Sequence, residues 1–192
     1  MNYTTFQKHA AKLSKGKHIK ARPVLQGMHH TESNVVCTDS HRLYQFNQSM
    51  PALIGQTIHP DTGATIEGNY PDTSRLMPDR FNEQNEWELK PAIAFLKAVK
   101  SLKVEHVVYE NGILSAESVD GCTKLQHTAS VTSTVEATAL NTVYLLEGLE
   151  LLATCRTTVS MLWYDRHRPV VFRDHPFSPI MEVLILPIRL NK

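Results

Sequence analysis

The chain has 192 residues, 42% of them hydrophobic and 20% charged, ordinary values for a soluble globular protein of one or two domains. Twenty Lys and Arg against nineteen Asp and Glu leave a net charge of +1. That excludes a globally basic nucleic-acid coat and a polyacidic tail, but not a local basic face. Cys37, Cys122 and Cys155 are widely spaced and form no C-x-x-C, which argues against a disulfide framework and against a zinc site. No apolar run approaches the roughly 20 residues that span a bilayer. The basic N-terminus lacks the apolar stretch of a secretory signal, so a cytoplasmic, membrane-free location is expected.

Phe6, Ala10 and Leu13 recur at helical spacing, with Lys8, Lys12 and Lys15 opposite them. They predict a helix over 4–14, capped by Thr4 or Thr5. RPVLQGM at 22–28 and NVVC at 34–37 read as strands joined by a hairpin loop, and RLYQF at 42–46 as a third. Residues 47–72, with several prolines and glycines, read as a connector. Residues 86–89 read as a short strand. Pro91 then opens an amphipathic helix with Phe95, Leu96, Val99 and Leu102 on its apolar stripe. Asn111-Gly112 between 104–109 and 113–117 is a hairpin signal, because both residues tolerate the positive φ of a two-residue turn. Strands are expected at 123–128 and 130–138, a helix at 141–152, and strands at 158–164, 169–173 and 182–188.

The order is periodic. Strand, helix and three strands occur at about 86–128 and again at about 130–190, with a weaker copy lacking its first strand at about 1–50. Three βαβββ units are the main architectural inference.

Four segments carry a family resemblance. RPVLQG at 22–27, TDSHRL at 38–43, YPDTSRLMP at 70–78 and LPIRL at 186–190 stand in this order. They resemble, in the same order, the strand, turn, linker and terminal motifs of the bacterial DNA polymerase III beta subunit, the sliding clamp. The resemblance implies an α+β DNA-clamp (processivity) fold with helices on one face of antiparallel sheets. Residues 1–70 would be a reduced half of the clamp's middle domain plus a linker, and 71–192 a complete C-terminal domain. The clamp's first domain has no counterpart, and His41 to Pro71 is too short for a second helix and sheet. The chain also runs two residues past the motif, to Asn191-Lys192, and these departures from the family weigh against ring closure.

The resemblance further implies a cleft that binds short peptides of polymerases or clamp loaders. Its lining would be Leu25, Thr38, His41, Arg42, Leu43, Arg75, Leu76, Asn141, Tyr144, Pro169, Leu186, Pro187, Ile188 and Arg189. From the residues alone two readings stay open. One is an apolar peptide groove with a few polar handles. The other is a buried strand pair whose arginines satisfy carbonyls between the domains.

By the same resemblance Lys8, Lys12, Lys15, Lys97, Lys100 and Lys103, with Lys17 and Lys20 just beyond the first helix, would face duplex DNA. Unaided, they read equally as a solvated helix face. Glu147 and Glu150 make any positive field uneven. Ten histidines show no metal-ligand spacing, and neighbouring residues in TDSH point to opposite faces of a strand, so they form no catalytic triad. The expectation is a non-enzymatic protein without cofactor or metal, acting in DNA replication as a clamp or as an adaptor that keeps the peptide cleft without encircling DNA. A half-domain with open sheet edges predicts a homo-oligomer through the first 50 residues, a dimer before a tetramer.

Overall fold

The computed structural model describes residues 2–16, 19, 21–78 and 80–189. Lys17, Lys20 and Asn191-Lys192, named above, lie outside the described residues.

Helix α1 (Tyr3–Leu13) opens the chain. Its cap is Asn2, whose side-chain oxygen accepts from the Thr5 amide at 3.0 Å; the capping role assigned to Thr4 or Thr5 falls to the residue before the helix, the position where asparagine is a strong acceptor. The RPVLQGM segment is a second correction. Pro23–Gln26 is a 3-10 turn, not a strand. The strand begins later, as β1 (Met28–His30), followed by β2 (Val35–Thr38) and β3 (Arg42–Phe46). His29 and His30 are therefore strand residues, and the loop is 31–34. The connector holds a 3-10 turn at Pro51–Leu53 and a two-residue strand, β4 (Thr57–Ile58).

Strand β5 (Glu83–Glu88) leads directly into α2 (Leu89–Ser101). The hairpin of β6 (His106–Glu110) and β7 (Ile113–Glu117) turns on Asn111 at φ 47° and Gly112 at φ 84°, the two positive angles its sequence requires. Then come β8 (Lys124–Thr128), β9 (Thr138–Asn141), α3 (Thr142–Leu152), β10 (Thr158–Trp163), β11 (Val170–Arg173) and β12 (Met181–Ile185). The strand expected over 130–138 is mostly irregular. Thr134 there gives its amide and hydroxyl to the Glu83 carboxylate, at 2.9 and 2.6 Å to Oε2. A side chain from β5 has replaced a neighbouring strand as the acceptor.

All strand pairs are antiparallel. One sheet has eight strands in the order β4-β1-β2-β3-β12-β11-β10-β5, and the other four in the order β8-β7-β6-β9. The large sheet takes four strands from residues 28–58 and four from 83–185. The N-terminal half thus finds a partner in its own chain: β3 pairs with β12 from Met181↔Phe46 to Ile185↔Arg42. This removes the physical ground for expecting an unpartnered half.

Helix α3 packs between α1 and α2. Gly148 allows its close seat on the sheet, since a β-carbon there would lie 2.7 Å from a Val183 methyl. One continuous core joins Phe6 and Tyr44 of the N-terminal half to Trp87, Leu96 and Leu149. Phe6 stacks on Phe46 at 5.6 Å, and Trp87 meets Phe172 at 5.2 Å and Tyr109 of the other sheet at 4.9 Å.

Gly112→Ala tests the hairpin. A β-carbon there would lie 1.9 Å from the Ser130 carbonyl oxygen, on a backbone already at positive φ. The expected loss is about 2 kcal/mol or more in urea unfolding.

Candidate functional site, an outer-face cleft at the junction of the two halves

Side chains alternate along a strand. On β3, Arg42, Tyr44 and Phe46 face the helices, so Leu43 faces outward. Its register partner on β12 is Leu184, which in turn lies opposite Val171, and Val171 opposite Leu162. These four form a second apolar cluster, with Met77 packed on it. At the Leu43 and Leu184 end the sheet floors a cavity of about 270 Å³, whose walls include Leu25, Thr38, His41, Pro169, Leu76 and Leu186. Leu76 and Leu186 are 45% and 40% exposed, whereas Leu25, Leu43 and Leu184 are buried. The result is an apolar floor with exposed apolar rims.

The TDSHR turn sets one wall. Thr38 donates its hydroxyl to the Arg42 carbonyl at 2.7 Å and accepts the Ser40 amide at 3.1 Å. Asp39 Oδ1 accepts the amides of His41 and Arg42, each at 3.0 Å. Ser40 takes φ 74°, the left-handed value that reverses the chain. The His41 carbonyl accepts the Leu186 amide at 2.9 Å and so draws the chain after β12 to the cleft.

Arg42 points the other way. It is 4% exposed. Its Nε donates to Asp39 Oδ2 at 2.9 Å, and its Nη1 donates to Glu147 Oε2 of α3 at 2.6 Å and to the Tyr44 hydroxyl at 3.2 Å. Its guanidinium lies 4.4 Å from the centre of the Tyr144 ring. Burial works against its charge, but Tyr44, Asp39 and Glu147 outweigh it and hold the group protonated well above its ordinary range. Arg42 borders the cleft through its position in the chain, while its charge is spent inside.

The other expected residues divide. Leu25, Thr38, His41, Leu43, Leu76, Pro169 and Leu186 line the cavity along with Arg42. Arg75, Asn141, Tyr144, Pro187, Ile188 and Arg189 do not. Arg75 is exposed beyond the rim. Asn141 caps α3, accepting the Val143 and Tyr144 amides at 3.0 and 3.1 Å. Tyr144 underlies Arg42 and faces the exposed His41 ring at 6.1 Å. The chain after Leu186 turns away, and Ile188 bridges to Ala139 of the smaller sheet, donating its amide at 2.8 Å.

Sequence reasoning missed Arg22, Ser40, Pro71, Asp72, Thr73 and Leu184 among the lining residues. Asp72 had a local signal. Its carboxylate accepts the Ser74 amide at 2.9 Å and hydroxyl at 2.7 Å, an Asx turn that presents Leu76. Those two bonds hold the Asp72 carboxyl below its usual range. Behind the linker, Tyr70 stacks on His29 at 4.9 Å.

The lysines lie on the helix side. Lys12 and Lys97 both reach Glu150, at 3.1 and 3.4 Å, and Lys15 reaches Asp61 at 3.4 Å. Burial pushes the Glu150 carboxyl up, but bonds and charge from these two lysines more than offset it, leaving it below its usual range. Lys8, Lys100 and Lys103 are exposed. Half of the expected basic set is therefore engaged by carboxylates of its own chain.

Truncating the buried cation should be costly. Arg42→Ala leaves Asp39 and Glu147 without their shared partner, with an expected loss of about 3 kcal/mol or more in urea unfolding. Glu147→Gln should cost less in the Arg42→Ala background than in the wild type, the coupling expected of one network.

No family model matches the chain. Two curated relatives do, the beta sliding clamps of Streptococcus pneumoniae serotype 4 (strain ATCC BAA-334 / TIGR4) and S. pneumoniae (strain ATCC BAA-255 / R6). Each is 23% identical over 227 aligned positions, covering 90% of this chain. The chain spans 59% of the length of these relatives. Among solved structures, a Bartonella birtlesii sliding clamp bound to griselimycin superposes with a TM-score of 0.78 at 17% identity, covering 97% of this chain and 65% of that one. The Helicobacter pylori beta clamp bound to a DNA ligase peptide gives 0.74 at 17% identity, covering 97% and 63%. The Bacillus subtilis clamp gives 0.74 at 18% identity, covering 98% and 63%. The chain has the sliding-clamp fold and is similar, in sequence and in structure, to part of a bacterial beta sliding clamp.

Proposed function

We propose that this protein is a non-enzymatic, clamp-like component of DNA replication that holds a short linear peptide of a polymerase, clamp loader or other replication enzyme in the outer-face cleft. The observation that carries the reading is the convergence of Leu25, Leu43, Leu76, Leu184 and Leu186, from four distant segments, on one cavity. Apolar anchors of a peptide fit such a floor, and Thr38, Ser40, His41 and Asp72 supply polar contacts at its rim. The H. pylori clamp, of the same fold, is known bound to a DNA ligase peptide. A larger hollow of about 510 Å³ lies against β5 and residues 127–132, but strand-edge and polar side chains dominate its walls. It offers no comparable apolar floor.

A fluorescent peptide with a Gln followed by Leu and Phe anchors should bind with a micromolar dissociation constant, about 7–8 kcal/mol. Leu76→Asp should weaken it at least tenfold by placing a charge on the apolar rim. The exposure of Leu76 keeps the cost to folding small. No binding by the folded wild type at high peptide concentration would refute the reading.

Contact with duplex DNA would rest on the helix face, where Glu150 sets one negative charge between Lys12 and Lys97 and so lowers the positive field. This favours a protein that works chiefly through its cleft. If the helix face meets DNA, binding should be independent of sequence and fall with salt. Glu150→Gln should then strengthen it and steepen its salt dependence by freeing two lysines, while Lys8→Glu with Lys100→Glu should weaken it. Affinity unmoved by all three changes would assign the lysines to a solvated face.

A further inference from the structure

In each of the three repeated units, the strand that follows the helix has an outer edge, and all three edges are filled. The outer edge of β10 is taken by β5, and that of β6 by β9; each filler is the strand that precedes the helix of the neighbouring unit. The equivalent strand of the N-terminal unit is β1. Its outer edge is taken by β4, which comes instead from the connector after β3. The pairing is antiparallel, as in the other two cases, with Met28 opposite Ile58 and His29 opposite Thr57.

The filler is a built element. Ile58 bridges to Thr65, and the Ile66 amide donates to the Thr57 carbonyl at 2.8 Å, so residues 57–66 form a small hairpin. The His30 amide donates to the Gln56 carbonyl at 3.0 Å, and the Gly55 amide to the His30 carbonyl at 2.8 Å. Helix α1 holds it from the side, through Gln7 Nε2 donating to the Pro60 carbonyl at 2.7 Å and through Lys15 to Asp61 at 3.4 Å. Gly27 leaves room for it, because a β-carbon there would lie 2.3 Å from Thr57 Cγ2.

We propose that residues 55–66 are a self-capping element that occupies, in cis, the edge at which the first strand of a further βαβββ unit would dock. The capped edge ends the array of units at β4. A second copy of this chain, or any other strand, cannot extend the large sheet there without first displacing the hairpin. Open strand edges are templates for unwanted pairing, and covering one with a loop is a known remedy. The inference is independent of the peptide cleft, which lies on the outer face near the β3–β12 junction.

The test is a gentle wedge and its rescue. Gly27 has φ −103°, so alanine strains no backbone there and meets chiefly the Thr57 methyl. Gly27→Ala should free the edge. Light scattering at tens of micromolar should then show a mass above that of the wild type and rising with concentration. Adding Thr57→Ser, which removes the methyl and keeps the hydroxyl, should restore the wild-type mass. A synthetic peptide of residues 54–67 added in excess should do the same. A folded Gly27→Ala protein with the wild-type mass and no affinity for that peptide overturns the proposal. If Gly27→Ala does not fold, hydrogen exchange on the wild type decides. The His30 amide should be protected like those of β2, and exchange at the rate of an open edge refutes the cap.

Discussion

One buried guanidinium ties the turn after β2 in one half of this protein to a helix of the other, across the seam that β3 and β12 form. Arg42 lies between Asp39, from its own half, and Glu147, from the helix of the other, with the Tyr144 ring against its face. A charge removed from water costs several kcal/mol unless its partners are well placed, and here carboxylates from both halves are needed to meet that cost. The two oxygens of Asp39 are divided between tasks. Oδ1 shapes the turn by accepting two backbone amides, and Oδ2 receives Arg42. Asp39 thus shapes the turn and aims Arg42, while Glu147 supplies the contact that crosses to the other half.

The cleft follows from this by the pleat of the strand. With Arg42 fixed toward the helices, Leu43 must face outward, and antiparallel pairing sets Leu184 beside it. A slip of one residue would turn Arg42 to solvent and Leu43 into the helix layer, so the buried ion network protects the register that makes the apolar floor. The walls are more local in origin. They need a 3-10 turn opened by Pro23, an Asx turn at Asp72 and a left-handed Ser40. None of these depends on the others, which is why they could be spread so widely along the chain.

Much of this was legible in the sequence, and what was not has common causes. Helices with strong apolar stripes and the Asn-Gly hairpin emerged close to where they were expected, because their signals are local. The segment at 22–28 misled because Pro23, Val24 and Leu25 suit a strand by composition, while the backbone closes short turns from Leu25 to Arg22 and from Gly27 to Val24. β4 has only two residues, too few for alternation to show, and its reason for pairing lies in an edge formed 30 residues earlier. Of the cleft, the motif residues on β3 and in the linker were found. Leu184 is one apolar residue of a wholly buried strand, and nothing in its immediate sequence sets it apart. Asn141, Tyr144 and Ile188 are expected in the cleft by resemblance, yet their local roles are a helix cap, a ring beneath a cation and a single bridge to the smaller sheet. The Glu150 bridges joining α1 to α3 and α2 to α3 could not be read from any single helix.

The two faces of the large sheet answer to different physics. The outer cleft is chiefly apolar, so the peptide binding proposed for it should depend on buried area and little on salt. The helix face depends on charge, and one carboxylate between two lysines is enough to lower its field. The sheet separates the two, and Arg42 is the residue that looks from one toward the other. Substitution on the helix face away from Glu147 can therefore change attraction for a polyanion while leaving the register of β3 and β12, and with it the cleft, as it is. The apolar cleft and the charged helix face can therefore be altered one at a time by substitution.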